Sequence, residues 1–283
     1  MKKTLVSLLA VFAFTIVFTS CTKEGQYMPS KKISEIVRVR SHKVGELVVS
    51  STESERWTWN GKVLSYIDYY NADGDRTRTA LFRYDKDNRI EEVEVGVYSI
   101  KYDYDNNHLD DIEVVNTNSG AKVQEMEFTY DGGKLATIDV KTNDGKGAES
   151  YLFNPLRFVV PENMAEMVMS QSAVKGTQRY TFTWTGNNIT EMTDGRGNSV
   201  KYSYDKNTNP FKGFLNVEQT FDLTYSANNV IRQELYDNGA LTVLDYEYVY
   251  DGKYPTRVKY QSESSTLVPG YTLMVDHVTE YKY

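Results

Sequence analysis

The chain holds a single cysteine, Cys21, in 283 residues, which excludes an internal disulfide and a cysteine-based zinc site. Histidine is scarce too. His42, His108 and His277 are scattered with no pair at metal-ligand spacing, and each reads as a surface residue. Basic charge falls short of acidic charge, 32 Lys and Arg against 39 Asp and Glu, giving a net charge of −7 and a pI near 5.2. That balance argues against a nucleic-acid partner, which would need clustered cations. There is no Gly-x-Ser-x-Gly elbow and no phosphate loop. Carboxylates are plentiful, yet no spacing singles out a glycosidase pair. The acidic stretches Asn71-Ala72-Asp73-Gly74-Asp75 and Asp85-Lys86-Asp87-Asn88 lack the distal Glu of a calcium loop and read as hairpin turns. No catalytic, cofactor-binding or metal-binding residue is assigned, no cofactor is expected, and the ligand is unknown.

What the chain has in excess is tyrosine, 23 residues of it. Tyrosine suits a pleated, half-buried surface, so the enrichment points to β structure. The unit is seen in Phe128-Thr129-Tyr130-Asp131-Gly132-Gly133-Lys134-Leu135-Ala136-Thr137-Ile138-Asp139-Val140. Phe128 and Tyr130 share one side of a strand, Ile138 and Val140 one side of the returning strand, and Asp131-Gly132-Gly133 makes the turn. Similar copies begin at Trp57, Phe82, Tyr102, Phe182, Tyr202, Leu223 and Tyr248, each closing on Asp, Asn, Thr or Ser. The second aromatic returns every 20 to 26 residues, except across one double-length gap between Tyr130 and Trp184. Further turn signals lie between the copies, as at Asp194-Gly195 and Asn238-Gly239. The expectation is an all-β, up-and-down antiparallel meander of roughly 14 to 18 strands with one apolar and one polar face. So long a sheet hides its apolar face by rolling into a flattened or partly open barrel. Val37 and Val39, with Arg38 and Arg40 facing the other way, open the sheet, and a turn is expected at Ser41 to Gly45. One short helix is expected near 161–170, where Pro161 precedes Met164, Met167 and Val168 at helical spacing.

The first twenty residues form a targeting segment, with Lys2 and Lys3 before an apolar run from Leu5 to Phe18. The run ends in Phe18-Thr19-Ser20-Cys21, which resembles a lipobox and marks Cys21 for lipidation. Thr22-Lys23-Glu24 after it resembles the surface-export signal of Bacteroidetes-type lipoproteins. After this run none approaches the length of a transmembrane helix. The chain therefore divides into a signal peptide over 1–20, a lipidated tether over 21–35 and a single β-repeat domain over 36–283.

The Tyr-Asp copies resemble the YD repeats of RHS and teneurin shell proteins. Together with the lipoprotein signal and Tyr202-Ser203-Tyr204-Asp205-Lys206-Asn207-Thr208-Asn209-Pro210-Phe211, they resemble a family of Bacteroidetes-type lipoproteins of unknown function with a porin-like fold. The resemblance implies a fold and a location and transfers no catalytic residue. The expected protein is a non-enzymatic binding or scaffold module of the outer membrane, on the cell surface or otherwise on the periplasmic face. It would be held by the lipid on Cys21 and would take a glycan or protein partner. The competing readings are a polysaccharide-directed hydrolase and a transmembrane β-barrel pore, the latter prompted by aromatic-rich alternating strands such as Thr77 to Tyr84.

Overall fold

The structure, a computed structural model, describes residues 23–44, 46–142, 177–215, 224–237, 239–265 and 272–283. These fold into an all-β antiparallel meander of 17 strands that forms a nearly closed barrel. The first half comprises β1 (Glu35–Val44), β2 (Leu47–Asn60), β3 (Val63–Tyr70), β4 (Arg76–Tyr84), β5 (Ile90–Val95), β6 (Tyr98–Asp105), β7 (His108–Asn116), β8 (Ala121–Asp131) and β9 (Lys134–Thr142). The second comprises β10 (Thr177–Thr185), β11 (Asn188–Thr193), β12 (Ser199–Thr208), β13 (Asn228–Asp237), β14 (Ala240–Asp245), β15 (Glu247–Asp251), β16 (Tyr254–Ser265) and β17 (Thr272–Lys282). Pairing of β1 with β17 joins the first and last strands, and β9 pairs with β10 across the double-length gap. The helix expected near 161–170 lies outside the described residues.

The wall is mainly apolar within and mainly charged without, although Arg38, Glu55 and Gln233 are buried inside and Leu81, Leu241 and Val249 are exposed outside. Ile67, Ile100, Ile112, Ile138 and Val200 point inward with no exposed surface, and the first aromatics of the copies, Trp57, Phe82, Tyr102, Phe128, Phe182 and Tyr202, are buried beside them. The outer face carries charge in cross-strand pairs. Arg83 meets Glu92 at 3.1 Å and Glu94 at 2.8 Å, Lys122 meets Glu113 across the strands and Glu125 along its own, Arg179 grips Asp139, and Lys259 meets Glu247 at 2.6 Å. Alternation of period two thus sorts water-seeking from water-avoiding side chains across one sheet.

The hairpins share a feature that the alternation does not announce. Just before each second aromatic the ladder slips by one residue, as between Thr58 and Trp59, Arg83 and Tyr84, Asp103 and Tyr104, and Thr129 and Tyr130. The extra residue of each bulge, such as Ser65, Glu91 or Ala136, sits on the returning strand, and a bulge disturbs the local ladder. The carbonyl just before it is taken by the second aromatic of the next hairpin. Tyr84 donates to the Leu64 oxygen at 2.7 Å, Tyr104 to that of Ile90 at 2.6 Å and Trp184 Nε1 to that of Leu135 at 2.8 Å, and Tyr204 donates to that of Ile189. A buried carbonyl wants a donor, which explains why the second aromatic is Tyr or Trp while Phe serves in the first place.

Several expectations are corrected. In β1 it is Ile36 and Arg38 that face inward, with Val37 and Val39 outside, because Arg38 has a buried partner in Glu55 and Trp57 Nε1 also donates to Glu55 at 3.0 Å. The opening turn falls after Val44, since β1 and β2 stay paired out to Val44 and Leu47. The copy at Leu223 makes no strand in its described part: the chain leaves the wall after Thr208, enters the barrel end, and returns at Asn228. Residues 23–34, expected as tether, are docked on the barrel with Tyr27 and Ile33 buried.

Candidate functional site

One end of the barrel is strapped and plugged. Residues 23–34 cross it, held by backbone bonds from Glu24 to the Asn107 oxygen, from Ile90 to the Gly25 oxygen and from Trp57 to the Ser34 oxygen. At Gly25 φ is +80°, and a Cβ there would stand 2.1 Å from the Tyr104 hydroxyl, so only glycine permits the strap to pass. The plug is Asn209 to Leu215. Asn209 Oδ1 accepts from the Phe211 amide at 2.9 Å, turning Phe211 and Phe214 into the core. Tyr27 of the strap packs on Phe214 with ring centres 4.6 Å apart and donates to the Pro210 oxygen at 2.9 Å. The Asn-Pro-Phe sequel singled out in the sequence is therefore the stopper.

Between strap, plug and the turns after β8 and β10 lies a cavity of about 520 Å³, lined among others by Lys23, Glu24, Lys134, Trp184, Lys212 and Tyr225. Glu24 occupies the place where the hydroxyl-to-carbonyl latch is interrupted. It accepts from Tyr130 at 2.6 Å and from the Leu109 amide at 2.7 Å, with His108 Nδ1 3.8 Å away. Burial pushes its carboxyl above the ordinary range, against the lowering pull of those donors. It is the one carboxylate among the described residues lining this cavity.

A second opening lies in the wall. β14 and β15 form one line of chain broken at Tyr246, of which β14 pairs with β13 and β15 with β16. Past the Glu247–Lys259 pair, β14 and β16 have no ladder between them, and a slot of about 600 Å³ opens there. Its lining includes outward-facing Asp245, Lys259, Gln261 and Asp276 and inward-facing Tyr260 and His277, so it passes between the strands toward the interior. Gln261 donates to Asp276 at 2.7 Å, and Arg232 holds Asp245 at 3.0 Å. Within, Tyr260 stacks on His277 at 4.3 Å and packs on Tyr246 at 4.9 Å, and Tyr246 donates to Gln233 at 3.1 Å. The slot's carboxylates are open to water, with the side chains of Asp245 and Glu247 at 65% and 71% exposure, unlike a general acid that burial must keep protonated.

Cys21 lies outside the described residues. His108 packs on Tyr130 with tilted rings at the strapped end, His277 lines the slot, and His42 stands in β1 opposite Val49. The turn side chains hold backbone: the Asp85 carboxylate accepts through Oδ1 from the amides of Asp87 and Arg89, and the Asn71 carboxamide through Oδ1 from those of Asp73 and Asp75. Among the described residues no group of His, Cys, Asp and Glu is placed to hold a metal. The slot went unread in the sequence, since it depends on which neighbours two halves of one strand choose. Glu24 went unread because its partners lie 85 and 106 residues away.

No protein-family model matches this sequence, and no curated protein matches it. Among solved structures, a porin-like protein from Bacteroides uniformis is similar over 90% of this chain and 98% of its own, at 11% identity and a TM-score of 0.52. A porin-like protein from Bacteroides vulgatus is aligned over 89% of this chain and 99% of its own at 9% identity, with a TM-score of 0.44 that is too low to argue from. A chain of the TcdB2-TccC3-Cdc42 complex, aligned over 80% of this chain and 10% of its own at 10% identity, has a TM-score of 0.27 and supports nothing about YD shells. What this chain shares with the Bacteroides uniformis protein is the porin-like barrel fold.

Proposed function

We propose that the protein is a non-enzymatic, lipid-anchored barrel of the outer membrane, exposed at the cell surface, that binds a ligand or partner at the slot between β14 and β16. The observation that carries this reading is the polarity of the wall, mainly apolar within and with charged pairs interrupting its outer face, together with a strap that fixes the N-terminal segment to one end. A bilayer-spanning wall needs an apolar outer belt, and each Arg or Lys at mid-bilayer costs ~2–4 kcal/mol, so Arg83, Arg179 and Lys259 weigh against a pore. The hydrolase reading needs two carboxylates in one cleft with different proton affinities. The plugged-end cavity offers Glu24 alone, and the slot's acids are open to solvent.

The slot's carboxylates, amide and tyrosine ring suit a hydroxyl-rich ligand such as a glycan. A glycan array with the purified protein should give binding that Gln261→Ala and Asp276→Ala weaken. Turnover of any polysaccharide would overturn the non-enzymatic reading. Cys21→Ser should move the protein from the membrane to the soluble fraction, and retention in membranes would refute the lipid anchor.

A further inference from the structure

We infer that the strapped end of the barrel is a seat for the phosphate-bearing face of a lipid leaflet. The inference deepens the anchored reading and stands on its own observations. The whole chain is acidic, yet this end is not: Lys62, Lys86, Lys134, Lys206, Lys212 and Lys253 are exposed on its turns, the end of β12 and the plug, and none is in an ion pair with a described residue. The acids that share the end are largely spent. Lys23 holds Asp87 at 3.0 Å, Lys31 holds Asp251 at 2.7 Å and Arg89 holds Asp85 at 2.7 Å, while Glu24 and Asp205 are half-buried and take hydrogen bonds from Tyr130 and Tyr250; Asp105 and Asp131 stand exposed on the turns against the six lysines. The opposite rim mixes signs, with Asp73, Asp75 and Glu263 beside Lys43, Arg76 and Arg196.

The strap adds a geometric reason. Lys23 and Glu24 are tied to the turns after β4 and β6, so the chain toward Cys21 departs from this end, and two residues reach at most about 7 Å. A lipid on Cys21 would hold this end against the leaflet. Anionic headgroups attract lysines brought within a Debye length, and the cavity between Lys23, Lys134 and Lys212 is roomy enough for a headgroup phosphate. Trp184, half-buried at the cavity wall, is of the kind that settles at a membrane interface.

The test separates the seat from the anchor by using a chain that begins at Thr22, which keeps every described residue and carries no acyl group if Cys21 is absent. It is sedimented with vesicles of phosphatidylcholine alone and with phosphatidylglycerol added, at low and high salt. Binding is expected to the anionic vesicles and not to the neutral ones, and to vanish at high salt. With about fivefold in affinity per lysine, Lys62→Glu combined with Lys212→Glu should weaken it at least about 25-fold. Lys43→Glu with Arg196→Glu, the same charge change at the far rim, should leave it intact. No binding to anionic vesicles, or equal loss in both double variants, would overturn the seat. Neither result would touch the anchor, which the Cys21→Ser fractionation reads separately.

Discussion

Tyr84 illustrates how a single hydroxyl earns its place in this wall. Its ring packs against the core while its hydroxyl satisfies a carbonyl freed by the bulge of the preceding hairpin. Tyr84→Phe keeps the ring and strands the Leu64 oxygen, so it should cost about 0.5–1.5 kcal/mol in a urea titration. Phe128→Ala, which empties a buried inward position, should cost about 3–5 kcal/mol. Asp139→Ala removes an outer-face partner of a largely exposed Arg179 and should cost less than about 1 kcal/mol. Equal midpoints for Phe128→Ala and Asp139→Ala would contradict the polarity of the wall. Glu24 supplies a pH test with a definite sign. Because burial raises its carboxyl above the ordinary range, folding disfavours the ionised form, and the penalty is complete once the pH exceeds the raised value. Below the ordinary carboxylate range the group is protonated in both states and the penalty is gone. Glu24→Gln should therefore raise the thermal midpoint at neutral pH, with the gap closing as the pH falls; a variant less stable at neutral pH would refute it.

Among the elements, the strap and plug show how a wide barrel avoids an empty end. A ring of this many strands is too broad for its own side chains to fill, so chain must enter it. Tyr27, Phe211 and Phe214 do so, and Trp57 meets Phe214 at 5.0 Å and Phe211 at 6.3 Å. Tyr27→Ala should cost about 3–5 kcal/mol and also open the strap to protease between Lys23 and Ser34, while strand β6 stays protected. Cleavage unchanged from the parent chain would mean that the strap holds without its anchor ring. The repeat itself was legible in the sequence because alternation and turn residues are local signals. The bulges were not, since nothing in Thr129-Tyr130 or Leu135-Ala136 differs from what an unbroken hairpin would carry. Docking of residues 23–34 was hidden by their polarity; Tyr27 and Ile33 are lone apolar residues whose pockets are made by distant strands.

For the molecule as a whole, the charged outer surface and the stoppered end make an object with two unlike ends, one strapped and rich in lysine, the other with the mouth of a slot near it. Reconstituted in a planar bilayer, the protein should produce no conductance steps. Stable unitary steps would require the wall to turn inside out, and the reading of the fold's function would fail with it.

The sequence by itself determined that the chain is a meander, most of the residues that turn it and that its aromatic face is the buried one, because these follow from side-chain period and from the few residue types that tolerate a tight turn. Only the tertiary structure decided that Arg38 faces inward, that the N-terminal segment is a strap, that Asn209-Pro210-Phe211 is a stopper and that β14 and β16 part to leave a slot. Arg38 needs its counter-charge on the neighbouring strand, the strap and stopper meet across 183 residues through Tyr27 and Pro210, and the slot depends on which strands pair, and no local pattern encodes such meetings.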